Sequence, residues 1–225
     1  MISGKIHFEF KKQLIVSLAL LFYINSQACL ANTELQNLLL PFKQITLVKF
    51  TYTETRKSVF FKKPLVTYGE IEFIRPDKII KEVLKPSYKK FIINKETLTI
   101  IDTIKTNHKN EDIKKKQLKL THYPKLKQFI DLLKALLSGD ALFLQKHYDI
   151  SISKLVPNEN TLKQTTHLSW KLILTPKMFP DDLEKQTIKT IQIVGTQSHI
   201  KSIEINGFAG ESSLLTIDKI LQKLM

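Results

Sequence analysis

The side chains in this sequence considered first for chemistry are six histidines, one cysteine and the acidic pair Asp181-Asp182. His7, His108, His122, His147, His167 and His199 fall at no spacing that sets two imidazoles on one helical face, as His-Glu-x-x-His does, so they do not read as metal ligands. Asp181-Asp182 follows Pro180 and reads as the capped start of a helix, not as two carboxylates sharing acid–base work. No Gly-x-Ser-x-Gly elbow and no glycine-rich phosphate loop occurs, and Gly207-Phe208-Ala209-Gly210 reads as a turn. Cys29 is the only cysteine, which excludes an intramolecular disulfide. It stands where a lipidated cysteine would stand, but Ser26-Gln27-Ala28 before it lacks the aliphatic residue expected of a lipidation box. These residues predict no enzyme, no metal and no cofactor.

What remains is charge and apolar pattern. The chain of 225 residues is 43% hydrophobic and carries a net charge of +14, so one well-packed domain with a strongly basic surface is expected. Arg56 and Arg75 are the only arginines; the rest of the basic residues are lysines scattered along presumed outer faces, without the arginine stripes of a nucleic-acid reader. The sequence therefore predicts no nucleic-acid partner and a solvated lysine surface, with a weak attraction to anionic membranes as the alternative. The first residues form an address. Lys5, Lys11 and Lys12 precede the apolar run Leu14–Phe22, and small-residue sites follow at Ala28 and Ala31. That run is shorter than the ~20 residues a spanning helix needs. Residues 1–31 are thus expected to be a cleaved signal peptide and 32–225 the mature domain, with a lipid anchor on Cys29 as the alternative.

The elements along the mature chain fall into an order. Thr33 caps a short helix bearing Leu35, Leu38, Leu39 and Phe42. Period two then predicts strands over Ile45–Thr53, Val66–Ile74 with a bulge or kink at Gly69, and Lys78–Leu84 after the Arg75-Pro76-Asp77 turn. A hairpin turns at Asn94-Lys95-Glu96. Asn107–Lys119 is polar and lysine-rich and reads as a loop or exposed segment. Pro124 opens the best helix of the chain, ending at Gly139, and Asp140 caps a second over Ala141–His147. Strands return at Asp149–Leu155, Leu168–Leu174, Lys189–Val194 and Ile200–Ile205, and Leu214–Ile217 precedes a short C-terminal helix.

A curved antiparallel sheet must cover its concave face, and the unassigned apolar surfaces are those of the N-terminal helix and the central helix pair. The expected lid face is Phe129, Ile130, Leu133, Leu136, Leu137 and Leu142. The expected wall beneath it is Val48, Phe50 and Tyr52 with Ile71, Phe73, Ile79 and Val83. Tight packing would make these an ordinary core, and loose packing an apolar pocket with a movable lid.

Several motifs, in order, carry a resemblance. Phe50-Thr51-Tyr52-Thr53-Glu54-Thr55-Arg56 follows the short helix; Gly69-Glu70-Ile71-Glu72-Phe73 runs into Arg75-Pro76-Asp77; Pro86 follows the next strand. Trp170–Lys177 and Ile203-Glu204-Ile205, with Gly207 and Gly210, close the pattern. Over residues 33–218 the chain resembles the LolA-type outer-membrane lipoprotein carriers, most closely their LolA-related branch. The resemblance implies an α+β fold, an unclosed antiparallel β-barrel of about 11 strands with a helical lid over its concave face. It implies a monomeric periplasmic carrier of acylated lipoproteins or another envelope lipid, which takes cargo from an inner-membrane transporter and delivers it to an outer-membrane receptor. Arg75 matches the family arginine that bonds to lid backbone and keeps the empty carrier closed. Two positions depart from the pattern: Ile79 stands where Phe is common and Lys81 where Trp is common, which would shrink or re-polarise the pocket and point to a specialised cargo such as a glycolipid. An outer-membrane-anchored receptor of the same fold is the other reading.

Overall fold

The computed structural model describes residues 33–60, 62–105, 111–155, 169–177, 188–196 and 199–225. The expected signal peptide, Cys29 and Asp181-Asp182 lie outside these residues. The chain divides into two compact units, residues 1–37 and Leu38–Met225. The described part of the first is the opening turn of a helix (residues 33–43, α1); the second carries everything that follows.

After α1 come β1 (Leu47–Lys57), β2 (Leu65–Ile74), β3 (Lys78–Lys85), β4 (Lys89–Asn94), β5 (Thr97–Lys105) and β6 (Glu111–Lys119). A single 3-10 turn leads into α2 (Pro124–Ser138) and α3 (Ala141–His147), and β7 (Tyr148–Leu155), β8 (Ser169–Pro176), β9 (Ile188–Thr196), β10 (His199–Gly207) and β11 (Ser212–Leu224) complete the chain. All 11 strands join one antiparallel sheet in the order β6-β5-β4-β3-β2-β1-β11-β10-β9-β8-β7. The first and last strands of that order do not pair, so the sheet is an unclosed barrel, as expected, accompanied among the described residues by three helices.

Alternation along the strands sets the buried face. Val48, Phe50 and Tyr52 of β1, Ile71 and Phe73 of β2 and Ile79 of β3 are buried. Across β11 the same face continues through Ile203, Ile193 and Ile191 to Leu172, Leu174 and Trp170. Helical residues seal it: Phe42 meets Trp170 edge-on with ring centroids 6.5 Å apart, and Leu132, Leu136 and Leu144 are fully buried. Gly69 makes the bulge expected of it, because a Cβ there would overlap the Glu82 carbonyl of β3, and the β2–β3 register shifts at that point.

Two expected elements are corrected. The segment over 107–119, read as a loop or an exposed segment, contains β6, exposed but not a loop, whose Glu111–Lys119 pairs with β5 from Lys105 to Thr97. It is an edge strand, held by backbone bonds on one side and exposed on the other, so it needs no apolar alternation; its lysines also block further pairing. The short C-terminal helix is strand as well. β11 runs to Leu224 and pairs with β1 from Lys57↔Ser212 to Leu47↔Leu224. Two bulges, opposite Lys49/Phe50 and Thr51/Tyr52, insert extra residues. They bring Ile217, Ile220 and Lys223 opposite Tyr52, Phe50 and Val48, so a strand face repeats every third residue and imitates a helix.

Candidate functional site

Both α1 and α2 end at one side chain. Arg75 leaves the C-terminal end of β2, where its backbone N–H donates to the Thr46 carbonyl at 2.9 Å. Its guanidinium then donates from Nε to the Ile45 carbonyl (2.9 Å) and from Nη2 to the carbonyls of Phe42 (3.0 Å) and Ser138 (3.4 Å). Phe42 lies in the last turn of α1 and Ser138 is the last residue of α2, so one cation satisfies carbonyls that a helix leaves unbonded at its negative end. A planar fork of five donors suits this task in a way an ammonium would not.

The seam between the two helix ends is tight. Gly139 caps α2 with φ 71°, its N–H returning to the Ala135 and Leu136 carbonyls. A Cβ at this position would stand 2.6 Å from the Leu39 carbonyl oxygen of α1. Asp140 then starts α3 by accepting the Phe143 N–H at 3.0 Å.

Beneath this seam lies a cavity lined by Phe42, Ile45 and Leu137 from the helical side and by Val48, Phe50, Ile200, Ile217 and Ile220 from β1, β10 and β11, with His199 and Lys223 at its rim. Its volume is about 30 Å³, roughly the share of one water molecule. Burial and the nearby Lys223 hold the His199 imidazole below its ordinary value.

Further along β1 the same buried face turns polar. Glu54 is 5% exposed. Its carboxylate accepts from Arg56 Nε at 2.7 Å, Lys81 Nζ at 2.5 Å and Ser213 Oγ at 2.9 Å. Burial works to raise its pKa, but Lys81 and Arg56 outweigh burial and hold the carboxyl down at about 2. Lys81 Nζ also sits 4.9 Å from the centre of the Tyr52 ring. Tyr52 Oη and Thr67 Oγ1, on the same face, are buried without a hydrogen-bond partner. Burial, and then the Glu54 charge, push the Tyr52 phenol up.

The structure brings most of the expected site residues together. Val48, Phe50, Tyr52, Ile71, Phe73 and Ile79 are buried on one face, and Val83 is half-buried at its margin. On α2, Ile130 and Leu136 are buried while Phe129, Leu133 and Leu137 are half-buried. The inner face of α2 is centred instead on Leu132, Ala135, Leu136 and Gly139. Leu142 is a correction: it is 70% exposed, and Ala141 and Leu144 take the inward positions of α3. The Asp140 cap fixes where that helix begins, and a seven-residue helix then has one narrow face to bury. Sequence reading also missed the β8–β11 half of the wall, although the alternation Trp170-Leu172-Leu174 and Ile191-Ile193 carries the signal. It missed Glu54 as the partner of Lys81, which only strand register reveals. No group of residues suited to holding a metal ion occurs among the described residues.

The model of the outer membrane lipoprotein carrier protein LolA-like family matches residues 27–218. No curated protein matches the chain. Among solved structures, the MucA/MucB complex of Pseudomonas aeruginosa aligns at 10% identity with a TM-score of 0.42, covering 84% of this chain and 56% of that one. The lipoprotein LppX of Mycobacterium tuberculosis aligns at 13% identity and a TM-score of 0.42, over 88% and 98% of the two chains. A LolA superfamily protein of Nitrosomonas europaea aligns at 9% identity and a TM-score of 0.36, over 84% and 93%.

Proposed function

Because the chain belongs to the LolA-like family of outer membrane lipoprotein carrier proteins, we propose that it is a periplasmic carrier that shelters acyl chains between its helices and the apolar face of its sheet. The observation that carries this reading is the Arg75 latch: one guanidinium bonds the ends of both covering helices over a largely apolar face. The reading requires the helices to move, because a void of about 30 Å³ has no room for an acyl chain. Each methylene transferred from water yields ~0.8 kcal/mol, so one long chain could contribute about 10 kcal/mol before ordering costs. Closure of the latched helices competes with that term and lowers net affinity, which lets a soluble carrier release what it binds. Cargo would come from an inner-membrane transporter and pass to an outer-membrane receptor. Among the described residues no helix is long and apolar enough to cross a membrane.

A specialised cargo, such as a glycolipid, is the second reading, and the buried Glu54–Lys81 pair favours it. An apolar wall interrupted by a buried ion pair suits a lipid with a polar head better than bare acyl chains.

Binding of a fluorescent acyl probe to wild type and Arg75→Leu tests the carrier reading. The latch predicts that Arg75→Leu binds the probe roughly tenfold or more tightly, since the open form no longer competes with three charge-assisted bonds. A protein that takes up no probe in either form has a fixed core, and the carrier reading falls. Native mass spectrometry of protein purified from its own envelope then separates a lipoprotein from a glycolipid cargo.

A further inference from the structure

The end of the sheet remote from Arg75 is built from the described residues of the β1–β2 turn (58–60 and 62–64), the β3–β4 turn (86–88) and the β10–β11 turn (208–211), which lie near one another because β10, β11, β1, β2, β3 and β4 are successive strands. Apolar side chains are displayed there. Phe60 is 89% exposed and Val59 is 72% exposed at the tip of the β1–β2 turn. Tyr68, Tyr88 and Phe208 are exposed around them, so of the exposed aromatic residues among those described only Tyr123 lies elsewhere. Ser58 Oγ accepts the Phe60 N–H at 3.3 Å. Lys57, Lys62 and Lys63 bracket the tip, exposed Lys85 stands at the neighbouring turn, and no acidic residue occurs from Thr55 to Gly69 or from Val83 to Lys90; half-buried Glu211 of the β10–β11 turn is the one carboxylate of the three turns.

We propose that this end of the molecule docks on the surface of an anionic lipid bilayer, with Val59 and Phe60 seated among the headgroups and the flanking lysines on the lipid phosphates. Apolar residues at a projecting tip, ringed by ammonium groups and aromatic rings, match the layering of a membrane interface: rings at headgroup depth and cations at the anionic plane. A protein partner would need apolar surface to receive Phe60 and acidic groups to receive at least three lysines around it. A bilayer with anionic lipid supplies both over any area, and the basic excess of the chain adds attraction from a distance. The inference goes beyond the carrier reading and does not depend on it, since it concerns where the cargo-free protein goes.

Flotation of the cargo-free protein with phosphatidylcholine vesicles, with and without phosphatidylglycerol, tests it. The wild type is expected to float with the phosphatidylglycerol vesicles and to be released by high salt. Val59→Ser/Phe60→Ser and Lys62→Glu/Lys63→Glu should each weaken binding roughly tenfold or more. Tyr123→Ser should not. Acyl-probe uptake in solution should be unchanged in all three, which separates this inference from the carrier reading. Equal flotation of wild type and the Val59→Ser/Phe60→Ser variant would overturn the proposal. So would flotation by neither, or a solution dimer that the same double substitution disperses. Unchanged urea midpoints establish that each variant is folded before it is scored.

Discussion

The Glu54–Lys81 pair gives the sharpest prediction, because its two halves respond differently to being left alone. Glu54 has three donors, from Lys81, Arg56 and Ser213, whereas Lys81 Nζ has Glu54 as its carboxylate and the face of Tyr52 beside it. Lys81→Met therefore leaves a carboxylate that still accepts two bonds, and should cost about 2 kcal/mol. Glu54→Leu strands a largely buried ammonium and should cost about 3–5 kcal/mol. The double variant Glu54→Leu/Lys81→Met removes both charges and should fall within about 1 kcal/mol of wild type, since two desolvation penalties vanish with the attraction that offset them. Urea unfolding at neutral pH of all four proteins closes a double-mutant cycle, with the singles adding to far more than the double. A double variant whose loss equals the sum of the two singles, or a Glu54→Leu cost below about 1 kcal/mol, would refute the claim that this pair is buried and coupled.

The same pair sets a pH dependence. A carboxyl that titrates at about 2 in the fold and near 4.5 when unfolded contributes about 3 kcal/mol at neutral pH. The folded value is the lower one, so the unfolded chain binds more protons between the two and stability rises with pH through that window. The contribution is complete above about pH 5 and is lost as the pH falls toward 2. Wild type should thus lose about 3 kcal/mol more between pH 5 and pH 2 than the double variant does, measured by urea midpoints at each pH.

Two further predictions concern the helical cover. Gly139→Ala forces a Cβ into a left-handed residue and against the Leu39 carbonyl, and should cost about 2 kcal/mol or more; a thermal melt followed by far-ultraviolet circular dichroism reads it. Asp140→Ala removes the acceptor for the Phe143 N–H and should cost about 1 kcal/mol in the same melt, with Asp140→Asn restoring most of it.

How much of this was legible in the sequence depended on whether burial or pairing made each element. β1 and β2 bury every second side chain, so Val48-Phe50-Tyr52 and Ile71-Phe73 announce both the strand and its inner face. β6 exists through its backbone bonds to β5, and nothing in Glu111–Lys119 alternates to report it. β11 sets Ile217, Ile220 and Lys223 opposite Tyr52, Phe50 and Val48 but buries none of them fully, and its two bulges convert period two into period three, which sequence reading assigns to a helix. The site divides the same way. Arg75 beside Pro76 at a strand end was visible as a set of donors, while its acceptors at Phe42, Ile45 and Ser138 come from segments up to 63 residues away. Lys81 stood out as a charge on an apolar face; that Glu54 answers it follows from β1 and β3 both flanking β2, a fact of register and not of composition.

The small cavity bears on how capacity should be judged in such a fold. A carrier with a permanent void large enough for an acyl chain would leave apolar lining without contacts, and its empty form would be unstable in proportion to that volume. Here Phe42, Leu132, Leu136 and Leu144 instead pack against the wall, and the cavity beside Phe42 and Leu137 holds about 30 Å³. On the carrier reading proposed above, what a ligand could bury is set by the sheet surface those side chains cover and by the strength of the three bonds from the Arg75 guanidinium. Both quantities belong to the helices. A substitution that loosens them should alter affinity without changing any residue of the wall, and one that deepens the wall under a closed latch should alter it little.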